Sequence, residues 1–211
     1  TLTVDQSAVV KVAAFNEGKR VSKISELRIH KITDSEWEDW LFVDGIRVKR
    51  EGEPYLAELE GLQRGVLVYS DRSATYTEIP ETLAGASHIR TRNDDKASKG
   101  SDFLRFEINL PATLFIAYDG RVAPPEALVK GMEATEMAVK ISNGETFPVY
   151  RRAVEAGEIV LGGNRVGGSG GESMYHVFLS KAASSKTTNA AVKAALAKAD
   201  LKRGEEMFFE R

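Results

Sequence analysis

The feature that most constrains this chain is a series of short apolar stretches that recur from Gly61 to Lys181, with turn-forming residues between them. Many short strands joined by close turns are typical of a β-sandwich or barrel rather than of parallel βαβ units. We therefore predict an all-β fold: an antiparallel, jelly-roll-like β-sandwich with one short internal helix and a helical C-terminal tail. The predicted strands of the sandwich are residues 66–69, 74–79, 88–92, 103–110, 112–118, 138–142, 147–154, 158–161 and 174–180.

The residue pattern within two of these stretches predicts where each strand lies in its sheet. Phe106, Ile108 and Leu110 alternate with polar residues, which is typical of a strand with one face in the core and one in water. Residues 114–118 are apolar on both faces, so this strand should be central. The tyrosines on strands, among them Tyr118 and Tyr150, are expected to pack with their hydroxyls at the rim.

Three local motifs predict connections. Pro124 and Pro125 open the internal helix at 126–131, because the first helical turn tolerates a missing N–H. Asp44-Gly45 lies between apolar runs and predicts a tight hairpin. The glycine-rich segment 162–171 lacks the Gly-Lys-Ser/Thr of a phosphate loop, so it is interpreted as a flexible hairpin loop.

Changes in composition divide the chain. Residues 1–60 are predicted N-terminal strands, either part of the sandwich or a preceding β segment. Residues 61–181 form the sandwich module, and residues 182–189 are a polar linker. The Ala- and Lys-rich residues 190–211 are predicted to be helical.

Composition excludes several classes of function. The net charge is −2, without a long block of like charge, so no nucleic-acid partner is expected. There is no cysteine, which excludes disulfides, thiolate metal sites and thiol nucleophiles. No apolar run approaches the roughly 20 residues that span a bilayer.

Several segments of the module resemble an accessory β-sandwich module of large secreted bacterial multidomain proteins, which include polysaccharide-active enzymes and multidomain cytochromes. The resemblance implies a sandwich fold and an extracytoplasmic location, periplasmic or secreted. The segments that carry it are 68–72 (VYSDR), 76–80 (YTEIP), 89–96 (IRTRNDDK), 115–122 (FIAYDGRV), 160–164 (VLGGN) and 174–175 (MY).

The C-terminal residues 199–209 (ADLKRGEEMFF) resemble the first helix of a class I c-type cytochrome domain. In that family a haem-attaching Cys-x-x-Cys-His follows within a few residues. The sequence stops at Arg211 before such a motif, so haem is expected only in a downstream domain that this chain does not contain. An unrelated amphipathic helix is the alternative.

No catalytic set is evident. The three histidines, His30, His88 and His176, are spread over predicted strands and do not form a compact cluster. There is no Gly-x-Ser-x-Gly elbow. We therefore expect that the chain is not an enzyme and that it holds no cofactor of its own, calcium being the one open case.

The densest polar segment gives the candidate ligand site: Arg92, Asn93, Asp94 and Asp95, joined by Asp71, Arg72 and Asn164. Carboxylates and amides bond sugar hydroxyls, guanidinium groups present fixed forks of donors, and Asp94 and Asp95 are hard oxygen ligands for Ca²⁺. The competing interpretation is an arginine–carboxylate pair that only pins a turn.

These observations favour a non-catalytic binding module of an exported multidomain protein, with carbohydrate as the leading ligand class. The alternative is a structural or protein-interaction domain that positions a downstream c-type cytochrome for electron transfer. The expected partner is accordingly a polysaccharide or a protein.

Overall fold

The computed structural model of the protein describes residues 8–12, 15–17, 19–20, 25–29, 40–52, 54–166 and 169–182. The chain divides into two compact units, Thr1–Trp40 and Leu41–Arg211. In the first unit, β1 (Ala8–Val12) pairs antiparallel with β4 (Ser25–Ile29), and β2 (Phe15–Asn16) pairs with β3 (Lys19–Arg20).

The second unit carries the remaining strands. They are β5 (Val43–Val48), β6 (Leu56–Glu58), β7 (Tyr76–Glu78), β8 (Ser87–Arg90), β9 (Leu104–Ile108), β10 (Ala112–Ala117), β11 (Glu133–Ile141), β12 (Thr146–Val154), β13 (Gly157–Leu161), β14 (Arg165–Val166), β15 (Ser169–Gly170) and β16 (His176–Lys181). Its helical elements are α1 (Glu126–Val129) and two 3₁₀ turns at Glu81–Leu83 and Asn93–Ala97.

Two antiparallel sheets share one hydrophobic core. The larger has seven strands in the order β6-β8-β16-β10-β12-β11-β7, and the smaller has three in the order β13-β9-β5. The apolar strand predicted to be central is β10, which lies in the middle of the seven and is buried from Leu114 to Ala117. Phe106, Ile108 and Leu110 are buried while Glu107 is exposed, so the predicted alternation is also confirmed.

The large sheet curls so that its edge strand β7 comes close to β8. The segment 66–70 bridges the gap: Val68 N–H donates to the Ala74 carbonyl at 2.9 Å, and Ser70 N–H donates to the Thr91 carbonyl at 2.8 Å. The predicted strand at 66–69 is therefore reduced to isolated bridges at Leu67 and Tyr69.

The predicted all-β sandwich is confirmed, including the internal helix after the proline pair. The predicted helical tail and most of the linker lie outside the described residues. No helix in the described ranges is both long and apolar enough to cross a bilayer.

The hairpin predicted at Asp44-Gly45 is wrong. Residues 43–48 form the single strand β5, and its pairing with β9 shifts by one residue between Asp44 and Arg47. Gly45 has φ +59° and the Asp44 carboxylate accepts its N–H at 2.6 Å. Asp-Gly thus supplies a β-bulge, which needs the same left-handed glycine as a tight turn.

The hairpin predicted in the segment 162–171 is confirmed, since β14 pairs with β15. Gly163 is required at its base: a Cβ there would lie 2.5 Å from the Lys99 nitrogen and 2.6 Å from the Ser98 carbonyl carbon. The glycine therefore permits close backbone contact with the chain after the Asn93–Ala97 turn.

Candidate functional site at one end of the sandwich

Five loops lie together at one end of the large sheet because its strands alternate in direction. Neighbouring antiparallel strands alternate in direction, so the ends of β8, β10 and β11 lie beside the starts of β16, β12 and β7. The loops that meet there are 70–75, 91–100, 118–125, 142–145 and 162–175. We refer to these five segments as the loop end. Loops held by a rigid sheet are the usual place for binding residues.

Asp71 organises the first part of the loop end. Its Oδ1 accepts the Asn93 N–H at 2.8 Å and its Oδ2 accepts the Asp94 N–H at 3.0 Å, so it holds the start of the 3₁₀ turn. Arg72 bonds the carboxylate of Asp94 and that of Asp71. Asn93 Oδ1 accepts the Met174 N–H at 3.0 Å and ties this turn to the loop before β16.

Arg92 and Asp95 form a buried ion pair. Nε and Nη2 of Arg92 donate to the two oxygens of Asp95 at 2.9 and 3.0 Å, and the Tyr55 hydroxyl donates to Oδ2 at 2.9 Å. The two side chains are only 7% and 1% exposed. Asp94, in contrast, is 68% exposed. The sequence-predicted cluster therefore contains one carboxylate that is fully engaged and one that faces water.

Asn164 is buried and joins the remaining loops. Its Nδ2 donates to the carbonyls of Lys96 at 3.0 Å and Ser173 at 3.1 Å, and its Oδ1 accepts the Tyr175 N–H at 3.3 Å. The backbone carbonyl of Asn164 accepts the Tyr118 hydroxyl at 2.8 Å. These bonds use the amide to fix loop positions, so Asn164 supports the loop end from beneath.

Asp119 is a second centre of the loop end that sequence reasoning missed as a site residue. The carboxylate is 1% exposed and accepts the N–H groups of Glu172 at 2.7 Å and Ser173 at 3.0 Å. It also accepts Nε and Nη2 of Arg121 at 2.8 and 2.6 Å. Burial acts to raise the pKa of Asp119, but the bonds from Arg121 and from the backbone outweigh it and hold the pKa below its ordinary value.

Arg121 connects this centre to a third carboxylate. Its Nη2 lies 3.0 Å from Glu145 Oε1, and the Ser173 hydroxyl donates to Glu145 Oε2 at 2.7 Å. The neighbouring Asp119 carboxylate raises the pKa of Arg121 above its ordinary value, so the guanidinium stays charged. The signal available in the sequence was the Tyr-Asp-Gly-Arg run directly after the central strand.

A cleft opens beside Asp119 and Arg121, with a volume of about 370 Å³. One wall is the segment 118–124 and the other is Pro148 and Tyr150 on β12. Gly120 sets the close approach of the two walls, because a Cβ there would lie 2.8 Å from the Thr146 carbonyl oxygen. Tyr150 is only half-buried, so it lines a cleft instead of being fully packed in the core.

The structure thus brings Asp71, Arg72 and residues 92–95 into one cluster, with Asn164 linked to it through the Lys96 carbonyl. That this cluster binds a ligand stays a prediction. Within the described ranges no group of three or more His, Cys, Asp or Glu side chains is arranged to hold a metal ion. The calcium interpretation of Asp94 and Asp95 likewise stays a prediction.

Two of the histidines lie in the core. His88 and His176 are buried among Tyr69, Tyr76 and Phe147, with the rings of Phe147 and His176 4.1 Å apart. Burial lowers the pKa of both, and burial together with the nearby His88 brings the pKa of His176 to about 3. His30 lies outside the described residues.

Comparisons with known proteins find a similar sequence and a similar fold. No protein-family model matches the sequence. A curated β-glucuronidase of Formosa agariphila is 31% identical over 104 residues, which is 49% of this chain and 10% of that protein. The chain therefore spans about a tenth of the length of the curated relative it matches.

A solved structure shows the same fold. A β-glucuronidase from glycoside hydrolase family 2 superposes with a TM-score of 0.59 at 21% identity, covering 85% of this chain and 21% of that one. A GH138 enzyme targeting pectin rhamnogalacturonan II gives 0.41 at 13% identity, covering 64% of this chain and 16% of that one. The chain thus has the β-sandwich fold of one part of a much larger protein.

These matches correct one expectation and leave another without support. The prediction that the chain is not an enzyme is wrong, since a protein that its sequence matches is a β-glucuronidase. That prediction rested on the lack of a recognisable catalytic motif, and the matched region is only about a tenth of the β-glucuronidase. None of these relatives is a cytochrome, and residues 199–209 lie outside the described residues.

Proposed function

We propose that this chain is the β-sandwich domain of a larger exported enzyme of the glycoside hydrolase kind, and that its loop end contacts a polysaccharide. The observation that carries this proposal is the 31% identity to a β-glucuronidase over 104 residues. The matched fold of a family 2 enzyme supports the same assignment. An extracytoplasmic location follows from the substrate, because polysaccharides of this kind are met outside the cytoplasm.

The chemistry of the loop end supports contact with a saccharide. Arg72, Asp94 and Glu172 are exposed there, and they offer donors and acceptors that match sugar hydroxyl groups. Asp71, Asp119 and Asn164 hold the backbone beneath them, so the exposed groups are positioned before a ligand arrives. Preorganisation of this kind reduces the entropy lost on binding.

Calcium is not part of this proposal. Both oxygens of Asp95 already accept bonds from Arg92, and Asp94 is paired with Arg72. A cation at these carboxylates would have to displace two guanidinium groups. A polysaccharide needs no such displacement, since the free edges of Arg72 and Asp94 remain in water.

The absence of cysteine allows a direct test of which end makes contact. Glu172→Cys places a single thiol at the loop end, and Glu155→Cys places one at the opposite end of β12. Each variant is labelled with a bulky polyethylene glycol maleimide and run in gels that contain pectin or xylan. We expect the polysaccharide to retard the unlabelled chain and the Glu155-labelled chain, but not the Glu172-labelled chain.

Retardation that survives the Glu172 label, or that the Glu155 label abolishes, would contradict the assignment of the loop end. The enzyme part is tested separately on the natural protein that contains this chain. That natural protein should release reducing sugar from a polysaccharide that retards the 211-residue chain in the gels. No release from any such polysaccharide would contradict that part.

A further inference from the structure

The cleft beside Asp119 combines an apolar wall with a tethered cation. Pro124, Pro148 and Tyr150 present ring carbons along it, and Val122 at its edge is 39% exposed. Arg121 is 48% exposed, and its Nε and Nη2 are bonded to Asp119 while its Nη1 takes no part in those bonds. A sugar ring has the complementary surfaces, because its C–H face stacks on rings and its hydroxyl edge bonds to donors.

Several charged side chains lie at or near the cleft. Asp119 and Glu145 flank the one guanidinium of Arg121, and the nearby Arg165 and Glu172 cancel each other. The formal charge of this group of five side chains is therefore −1. The charge of Arg121 is already balanced by its own carboxylate partners. A carboxylate on the ligand would therefore be repelled by the net negative charge a few ångströms away.

We propose that this cleft is a binding site for one neutral pyranose residue of a saccharide, with the ring stacked on Tyr150 and Pro148 and a hydroxyl bonded to Arg121. The site rests on the proposed function and deepens it by naming the ligand class. Its size agrees, since about 370 Å³ lies at the lower end of the range for small-ligand pockets and suits one ring. Uronic acids are the class that it disfavours.

The position of the site is tested with Tyr150 variants of the 211-residue chain. The probes are cellobiose, xylobiose and digalacturonic acid, titrated against the chain and followed by NMR or calorimetry. Loss of the ring in Tyr150→Ala should weaken binding of the neutral probes about tenfold, whereas Tyr150→Phe keeps the ring and should stay within about twofold. Melting temperatures establish that both variants are folded.

The charge preference is tested with Glu145→Gln. This change removes the net negative charge, so the binding of digalacturonic acid relative to cellobiose should improve by about fivefold or more. Glu107→Gln is the matched control, because it makes the same change in net charge at an exposed position on β9 of the smaller sheet. The control should leave that ratio unchanged.

Three results would contradict the proposed sugar site. Neutral probes that bind unchanged to Tyr150→Ala, tighter binding of digalacturonic acid by the unaltered chain, or no binding of any probe would overturn the inference. Retardation by polysaccharide in the gels described above is independent of these outcomes. Polysaccharide can retard the chain in those gels even though Tyr150→Ala binds the neutral probes normally, or even though no probe binds. In either case the cleft assignment fails while the proposed function stands.

Discussion

The two adjacent carboxylates at the loop end, Asp94 and Asp95, have opposite environments. Asp95 is 1% exposed and bonded by Arg92 and Tyr55, while Asp94 is 68% exposed and its carboxylate is paired with Arg72. Removing one partner of a buried ion pair leaves the other charge buried without compensation, whereas an exposed pair contributes little. The same substitution should therefore have very different effects at the two positions.

We predict that Asp95→Ala lowers the free energy of unfolding by about 3–5 kcal/mol and that Asp94→Ala lowers it by less than about 1 kcal/mol. Urea denaturation of the two variants measures both values. If the two substitutions cost the same, the Arg92–Asp95 pair is not the structural element described here. The exposed Asp94 is accordingly the better position at which to look for loss of ligand binding.

The buried histidines make stability depend on pH. The pKa of His176 falls from 6.5 to about 3 on folding, and that of His88 is also lowered. The folded state therefore favours neutral rings, and the contribution to stability is complete above about pH 6.5. Below that pH the unfolded chain binds protons that the folded chain does not, so stability falls as pH decreases towards about 3.

For His176 alone the loss is about 1.4 kcal/mol per pH unit, or about 2 kcal/mol between the ordinary pKa and pH ~5. His176→Phe removes this titration and preserves an aromatic ring. We expect the variant to lose about 2 kcal/mol less stability than the unaltered chain between pH ~7 and pH ~5, as measured by urea denaturation at each pH. Parallel pH profiles for the two proteins would show that His176 is not buried in its neutral form.

At the scale of the elements, close backbone contact fixes the hairpin of β14 and β15. A methyl group at Gly163 would meet backbone atoms of Ser98 and Lys99 within 2.6 Å, whereas at Gly61 the nearest atom would be 3.5 Å away. Neither glycine needs a left-handed conformation. We predict that Gly163→Ala costs about 1–3 kcal/mol and that Gly61→Ala stays within about 0.5 kcal/mol, measured by urea denaturation.

A Gly163→Ala variant as stable as Gly61→Ala would contradict this contact. Because the hairpin also carries the Asn164 bonds, the destabilising change should in addition loosen the loop end. Faster amide hydrogen exchange at Tyr175, whose N–H is bonded to Asn164, is the expected sign.

The strands were predictable because the order of apolar and polar residues along each one indicates which side chains are buried. Phe106, Ile108 and the apolar run of β10 report which faces lie in the core, and the proline pair reports the start of α1. Asp44-Gly45 was misassigned because a tight turn and a β-bulge both need a glycine in the left-handed conformation. Only the pairing of β5 with β9 distinguishes the two. Sequence patterns do not contain that pairing.

The site was predictable only in part, for a related reason. Asp71, Arg72 and residues 92–95 attracted attention because polar residues are dense there, and the structure does gather them. Asp119 lies two residues from Arg121, but Glu145 is remote in the sequence, and only the pairing of β10 with β12 brings it to the same guanidinium. Tyr150 packs against the core as expected, and it also lines the cleft.

At the scale of the whole molecule, the unit Leu41–Arg211 is a curled seven-stranded sheet with a smaller sheet on the shared core and one end rich in fixed polar loops. Its sequence matches about a tenth of a β-glucuronidase. We propose that saccharide contacts the loop end of this unit, and not a strand edge or the opposite end.

Chemical-shift mapping tests this claim most directly. An amide correlation spectrum of the 211-residue chain is recorded with increasing xylobiose or cellobiose. We expect the shifted amides to fall in the loop end and in the first half of β12, with Gly120, Arg121 and Tyr150 among the largest changes. Shifts confined to the edge strands β5 or β6, to the turn at Glu155, or absent altogether, would contradict it.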